Sequence, residues 1–167
     1  MKKIREAWDN LEENLLLGML LVLVVVIFMQ VVMRYVARSS LSWSEELGRY
    51  LFIWMTWIST SYAVRHNRHL RIEVLTDFLS ERGKLVLNIA AMIVWCGFGI
   101  FLINKGCEIT AMLWRRGQIT AALEIPMAVN YAAIPVGAAL MSIRLVDEIV
   151  RSLKKLFALS DKKEGAA

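Results

Sequence analysis

Four apolar blocks, each followed by a polar stretch, set the pattern of this chain. The first, Leu15 to Met33, is 19 residues without a charge. At ~1.5 Å per residue of helix it is long enough to cross a hydrocarbon core of about 30 Å. The second starts at Ser42-Trp43-Ser44-Glu45, a capping-box spacing that predicts a helix start, and ends at Val64 before Arg65-His66-Asn67-Arg68-His69. From Tyr50 to Val64 it carries no charge. The third runs from Leu85 to Asn104 and the fourth from Ile125 through Ile143. The expected fold is an all-α membrane protein with four transmembrane helices over about 15–33, 43–64, 85–104 and 125–143. One membrane domain, 1–160, would hold them, with a disordered tail over 161–167. The first block is longer than a signal-peptide core and three more follow, which argues for a span that is retained.

The stretches between the blocks predict interfacial amphipathic segments. Ile4, Trp8, Leu11 and Leu15 recur at helical spacing in the N-terminal arm. Leu70, Ile72, Val74 and Leu75 break the polarity of the second loop. Met112, Leu113 and Trp114 do so in the third, Lys105 to Glu124, which Gly117 should break. Within the blocks the polar residues are few. Gln30 either hydrogen-bonds another helix or lies near the interface. Arg34 closes the first span, placed to snorkel. Glu45, Glu46 and Arg49 fall at i,i+3 and i,i+4 and can pair along the first turns of the second helix. They are candidates to hold its outer end against a neighbour, Arg34 or another subunit. Trp43, Trp54 and Trp57 mark the same helix, with at least one expected at headgroup depth. Pro126 suits a first helical turn. Pro135 removes the amide that would bond the Tyr131 carbonyl, so a kink is expected there. Ala128/Ala132 and Ala133/Gly137 are small pairs for close helix contact. Arg144–Glu148 and Asp147–Arg151 can pair at i,i+4 beyond it.

Composition agrees with the pattern. Apolar residues make up 57% of the chain and mean hydropathy is +0.51, too apolar for an ordinary soluble domain of 167 residues. The net charge of +5 forms no stripe along a helix face, so nucleic acid is not the expected partner. The N-terminal arm, second loop and C-terminal segment hold 14 Lys and Arg, and the first and third loops six. By the positive-inside rule both termini are cytoplasmic and the chain is a multi-pass protein of the inner membrane, in contact with membrane lipids. Cys96 and Cys107 lie too far apart on one helix, roughly 16 Å, for a disulfide.

Little chemistry is offered. No phosphate loop, nucleophile–base pattern or metal constellation is present. His66 and His69 share one polar loop, which does not suit haem held between facing helices. A small antiporter would need an ionisable group inside the membrane, and the four blocks carry no charge. The expectation is a partner subunit with no enzymatic activity and no cofactor.

The chain resembles the small membrane subunit (DctQ-like) of tripartite ATP-independent periplasmic (TRAP) transporters. The resemblance rests on Arg34-Tyr35, Trp43-Ser44-Glu45-Glu46, Arg49-Tyr50-Leu51-Phe52-Ile53-Trp54, His69-Leu70-Arg71-Ile72, Ile125-Pro126, Tyr131 and Ile134-Pro135. It covers about Leu15 to Arg144, and its second-helix motif is the specific part. It implies a scaffold that holds a large membrane subunit, the carrier of the substrate and sodium sites. It also implies a periplasmic binding protein that delivers an organic acid, a C4-dicarboxylate or a sugar acid such as sialic acid. Another reading is the membrane anchor of a redox or signalling complex. On the external third loop, Trp114, Arg115 and Arg116 are candidates to dock the binding protein; the other reading places them on lipid phosphate.

Overall fold

A computed structural model describes residues 2–39, 41–65 and 81–164. The expectations for His66, His69 and the surface segment of the second loop lie outside these residues. Five helices follow in order: α1 (Lys2–Tyr35), α2 (Ser42–Arg65), α3 (Glu81–Arg115), α4 (Met127–Tyr131) and α5 (Ala133–Glu164). The N-terminal arm is not a separate interfacial helix; it continues without a break into α1. The third helix is longer than expected. Its ladder runs past Asn104 to Arg115, and the chain turns only at Gly117, which sits at a φ of 61° that suits glycine. Most of the expected third interfacial segment is therefore the last three turns of α3.

Two helices are long and apolar enough to cross a membrane: Leu11–Tyr35, with a mean hydropathy of 3.1, and Gly83–Arg115, with 2.4. Their apolar side chains mostly point away from the protein, as Leu21 (66% exposed), Phe28 (68%) and Val94 (72%) illustrate. A soluble bundle would bury such surface, so a lipid or partner environment is required.

The core lies where α2, α3 and α5 meet, around Val64, Ile89, Met92, Met141 and Leu145. Small residues allow the approach. A β-carbon on Gly137 would stand 2.6 Å from the Trp57 β-carbon and 3.0 Å from its carbonyl oxygen. One on Gly106 would stand 2.8 Å from the Pro135 ring, and one on Gly99 2.4 Å from the Ser142 hydroxyl. These contacts set α2 and α3 directly on the backbone of α5. Ala128 and Ala133 of the predicted small pairs are also buried. Gly97, by contrast, faces open space.

The expected disturbance at Pro135 is present. Regular helix is interrupted at Ala132, three residues before the proline and beside the Tyr131 carbonyl that loses its donor. The α3 backbone at Gly106 fills the space against the buried proline ring.

Candidate functional site

The bundle has two polar cross-ties, one at each end. At its upper end α1 finishes and α2 begins. There Gln30 donates from Nε2 to Glu45 Oε1 at 2.7 Å, so α1 and α2 are linked through the amide. Of the two readings for Gln30, the interhelical bond is the one realised. The Glu45 carboxylate thus turns to α1 instead of closing a capping box. Ser44 instead donates its hydroxyl to the Leu41 carbonyl at 2.7 Å.

Glu46 points the other way, toward the loop between α3 and α4. Its Oε2 accepts the backbone N–H of Ala122 at 2.8 Å and of Leu123 at 2.9 Å. Its Oε1 accepts the Tyr50 hydroxyl. The residue is buried. The loop it holds is a small hairpin-like turn: Thr120 N–H donates to the Ile125 carbonyl at 2.9 Å and Met127 N–H to the Gln118 carbonyl at 2.9 Å. Ile119 and Pro126 form an isolated antiparallel bridge. Buried Thr120 accepts the Ile125 N–H on its hydroxyl at 3.2 Å. Glu124 takes a positive φ of 55° to close the turn. Two adjacent N–H groups in such a turn converge on one point, and a carboxylate satisfies both.

The expected pairing among Glu45, Glu46 and Arg49 along the helix does not form. Both acids are taken by long-range partners, and Arg49 is left exposed. Among the described residues neither Arg49 nor the exposed Arg34 makes an ion pair, so Arg34 is not the neighbour anticipated for this cluster. Trp43 and Trp54 are half-buried on α2. Pro126 caps α4 with φ −57° and ψ 125°, so it precedes the first turn instead of occupying it.

A cleft of about 790 Å³ opens below this tie, between α2 and the α4 region. Arg49, Tyr50, Ile53 and Trp57 form one wall, and Asn130, Tyr131 and Ile134 stand on the other. It is polar at the top and apolar below. Trp114, Arg115 and Arg116 lie away from it at the end of α3, all three exposed, with Trp114 66% accessible.

At the lower end Arg144 of α5 pairs with Glu12 of α1; the two side chains are 15% and 7% exposed. The same guanidinium donates to the Ser61 carbonyl of α2 at 3.5 Å. The sequence pattern pointed to Glu148 as its partner. Burial explains the difference: the side chain faces the seam between helices, where only α1 offers a carboxylate, while Glu148 lies near Arg151 at 4.0 Å. Asp147 and Arg151 do pair, at 3.0 Å.

Among the described residues, charges thus collect at the two ends of the bundle, and no group of three or more His, Cys, Asp or Glu could hold a metal ion. Both cysteines are free thiols.

Residues 23–155 match the family described as the DctQ component of tripartite ATP-independent periplasmic transporters. A putative TRAP transporter small permease protein of Haemophilus influenzae is 27% identical over 94% of this chain and 96% of its own length. The sialic acid TRAP transporter small permease protein of Vibrio cholerae is 26% identical over 96% and 91%. An isethionate TRAP transporter permease protein of Oleidesulfovibrio alaskensis is 22% identical over 87% of this chain, which spans only 24% of that longer protein. These relatives are transport proteins, which favours the transporter subunit over the redox or signalling anchor.

Proposed function

Because the chain belongs to the DctQ-component family of TRAP transporters, we propose that it is the small scaffold subunit of a sodium-driven, binding-protein-dependent uptake system. It binds a large membrane subunit that moves the cargo. The observation that carries this reading is the distribution of charge. The apolar middle of the bundle holds no charged side chain among the described residues, and the acids at its ends are engaged in tying helices together. An ion-coupled carrier needs ionisable or polar ligands at mid-membrane. The match to one part of a longer permease protein supports a partner of the same kind. Relatives named for sialic acid, ectoine and C4-dicarboxylate resemble this chain alike, which supports an organic-acid cargo selected elsewhere.

Uptake measurements in vesicles test this. The purified chain alone should give no sodium-driven accumulation of any organic acid, and addition of a large subunit and binding protein should restore it. Accumulation by the single chain would end the scaffold reading. In the complete system, Arg115→Glu with Arg116→Glu should slow uptake when binding protein is limiting, and more at low salt, if these exposed arginines meet acidic groups on that protein. An unchanged dependence would assign them to lipid phosphate.

On this reading all four long helices cross the inner membrane. α2 and α5 carry charge near their ends, which the partner and the headgroups accommodate. The pairing of Glu12 with Arg144 sets the two outer helices' cytoplasmic ends together, in keeping with the 14-to-six Lys and Arg asymmetry. A periplasm-active reporter fused after Ser39 should be active and one fused at Ala167 silent. The opposite pattern would invert the topology.

A further inference from the structure

The cleft between α2 and the α4 region lies on the flank of the bundle and not on its docking end. Its composition changes along its length. Arg49 and Tyr50 stand at the top, with Ile53, Trp57 and Ile134 below. The charge balance at the top is uneven once hydrogen bonds are assigned. Glu46 is spent on the Ala122 and Leu123 amides, and Glu45 accepts Gln30. Arg49 is exposed and, among the described residues, has no carboxylate partner. On the membrane reading of the proposed function, that guanidinium stands at the edge of the hydrocarbon, where an unmatched charge is costly and a desolvated ion pair is strong.

We propose that this cleft is the seat of the large subunit: an apolar transmembrane helix of that partner packs against Ile53, Trp57 and Ile134 and places a carboxylate on Arg49. Three observations select this occupant. The cleft asks for an anion at one fixed height, with apolar surface below it, which a helix bearing one acidic residue supplies. Asn130, on the opposite wall, encloses an amide oxygen with no hydrogen-bond partner. An acyl chain offers an amide nothing, whereas polar side chains on a neighbouring helix bond such groups within membranes. Finally, a segment like this chain forms part of a longer permease protein in a relative, so such helices can be its covalent neighbours. The floor of the cleft is already rigid, because Gly137 seats Trp57 against α5. The partner therefore meets a preformed surface.

The test uses the complex of both membrane subunits, with a photo-crosslinking amino acid at Ile53 in the cleft and, as control, at Val94 on the outward face of α3. Crosslinking to the large subunit from Ile53 but not from Val94 is expected. Arg49→Glu should reduce co-purification of the large subunit at least about tenfold, and Arg49→Lys should restore most of it; Arg49 is exposed, so the isolated variants should fold. If wild-type chain retains no large subunit at all, the scaffold reading itself fails. If the wild-type complex forms, but Ile53 crosslinks only to lipid or to a second copy of this chain, or Arg49→Glu leaves co-purification intact, the cleft is not the seat.

Discussion

Replacing Arg144 with alanine lowers the stability of the bundle by about 3–5 kcal/mol, because it strands the Glu12 carboxylate in an enclosed seam. Both partners are largely covered, at 15% and 7% exposure, so solvent screens the loss little. Arg144→Lys should fall between, since an ammonium keeps the charge but cannot reach both Glu12 and the Ser61 carbonyl in the same fork geometry. The informative variant is the double replacement, Glu12→Leu with Arg144→Leu. Removing both charges avoids an unpaired buried ion, so the double variant should be more stable than either single one. Thermal unfolding of the purified protein in detergent, scored as a double-mutant cycle, measures this. Additive losses from the two single changes would mean that the pair carries no coupling and that α1 is held to α5 by packing alone.

Much of this fold was legible from hydropathy, and the reasons for the exceptions are physical. Block length and the absence of charge predicted where the helices lie, since a long apolar run has few other solutions. The proline rule located the disturbance beside Tyr131, because the missing amide is a local property of the sequence. The end of α3 was misjudged for the opposite reason. Lys105, Glu108 and Arg115 made the segment look interfacial, yet Lys105 and Glu108 pair at 2.7 Å one turn apart and let the helix carry charge onward. The site residues were named correctly as a group but not as partners. Local spacing offered Arg49 to Glu45 and Glu46, and Glu148 to Arg144. The structure satisfies these groups across 15, 76 and 132 positions of sequence instead. No periodicity reports such pairs. The available signal was the mixed character of the turn at 118–126, where glycine, threonine and proline surround backbone donors that need an acceptor.

Removal of the Glu46 carboxylate should release that turn while leaving the helices in place. In Glu46→Leu the N–H groups of Ala122 and Leu123 lose their acceptor, and the Tyr50 hydroxyl loses its partner. Hydrogen exchange at these two amides should accelerate by about tenfold or more, as expected when a hydrogen-bonded donor is freed. Glu46→Gln keeps one oxygen and should show a smaller effect. Glu46→Asp, shorter by one methylene, should sit nearer to leucine because it cannot span from α2 to the loop. Exchange within the buried contact of α3 with α5, around Met92 and Met141, should not change. The consequence for function follows from the position of the turn. It leads directly from Trp114, Arg115 and Arg116 into Pro126 and α4, so a loosened turn blurs the upper surface and the rim of the cleft together. Uptake by the assembled system should then decline at limiting binding protein even though both membrane subunits still co-purify. Native exchange rates at Ala122 and Leu123 in Glu46→Leu would show that the backbone bonds at Thr120 and Met127 suffice to hold the loop, and that the carboxylate contributes nothing to its order.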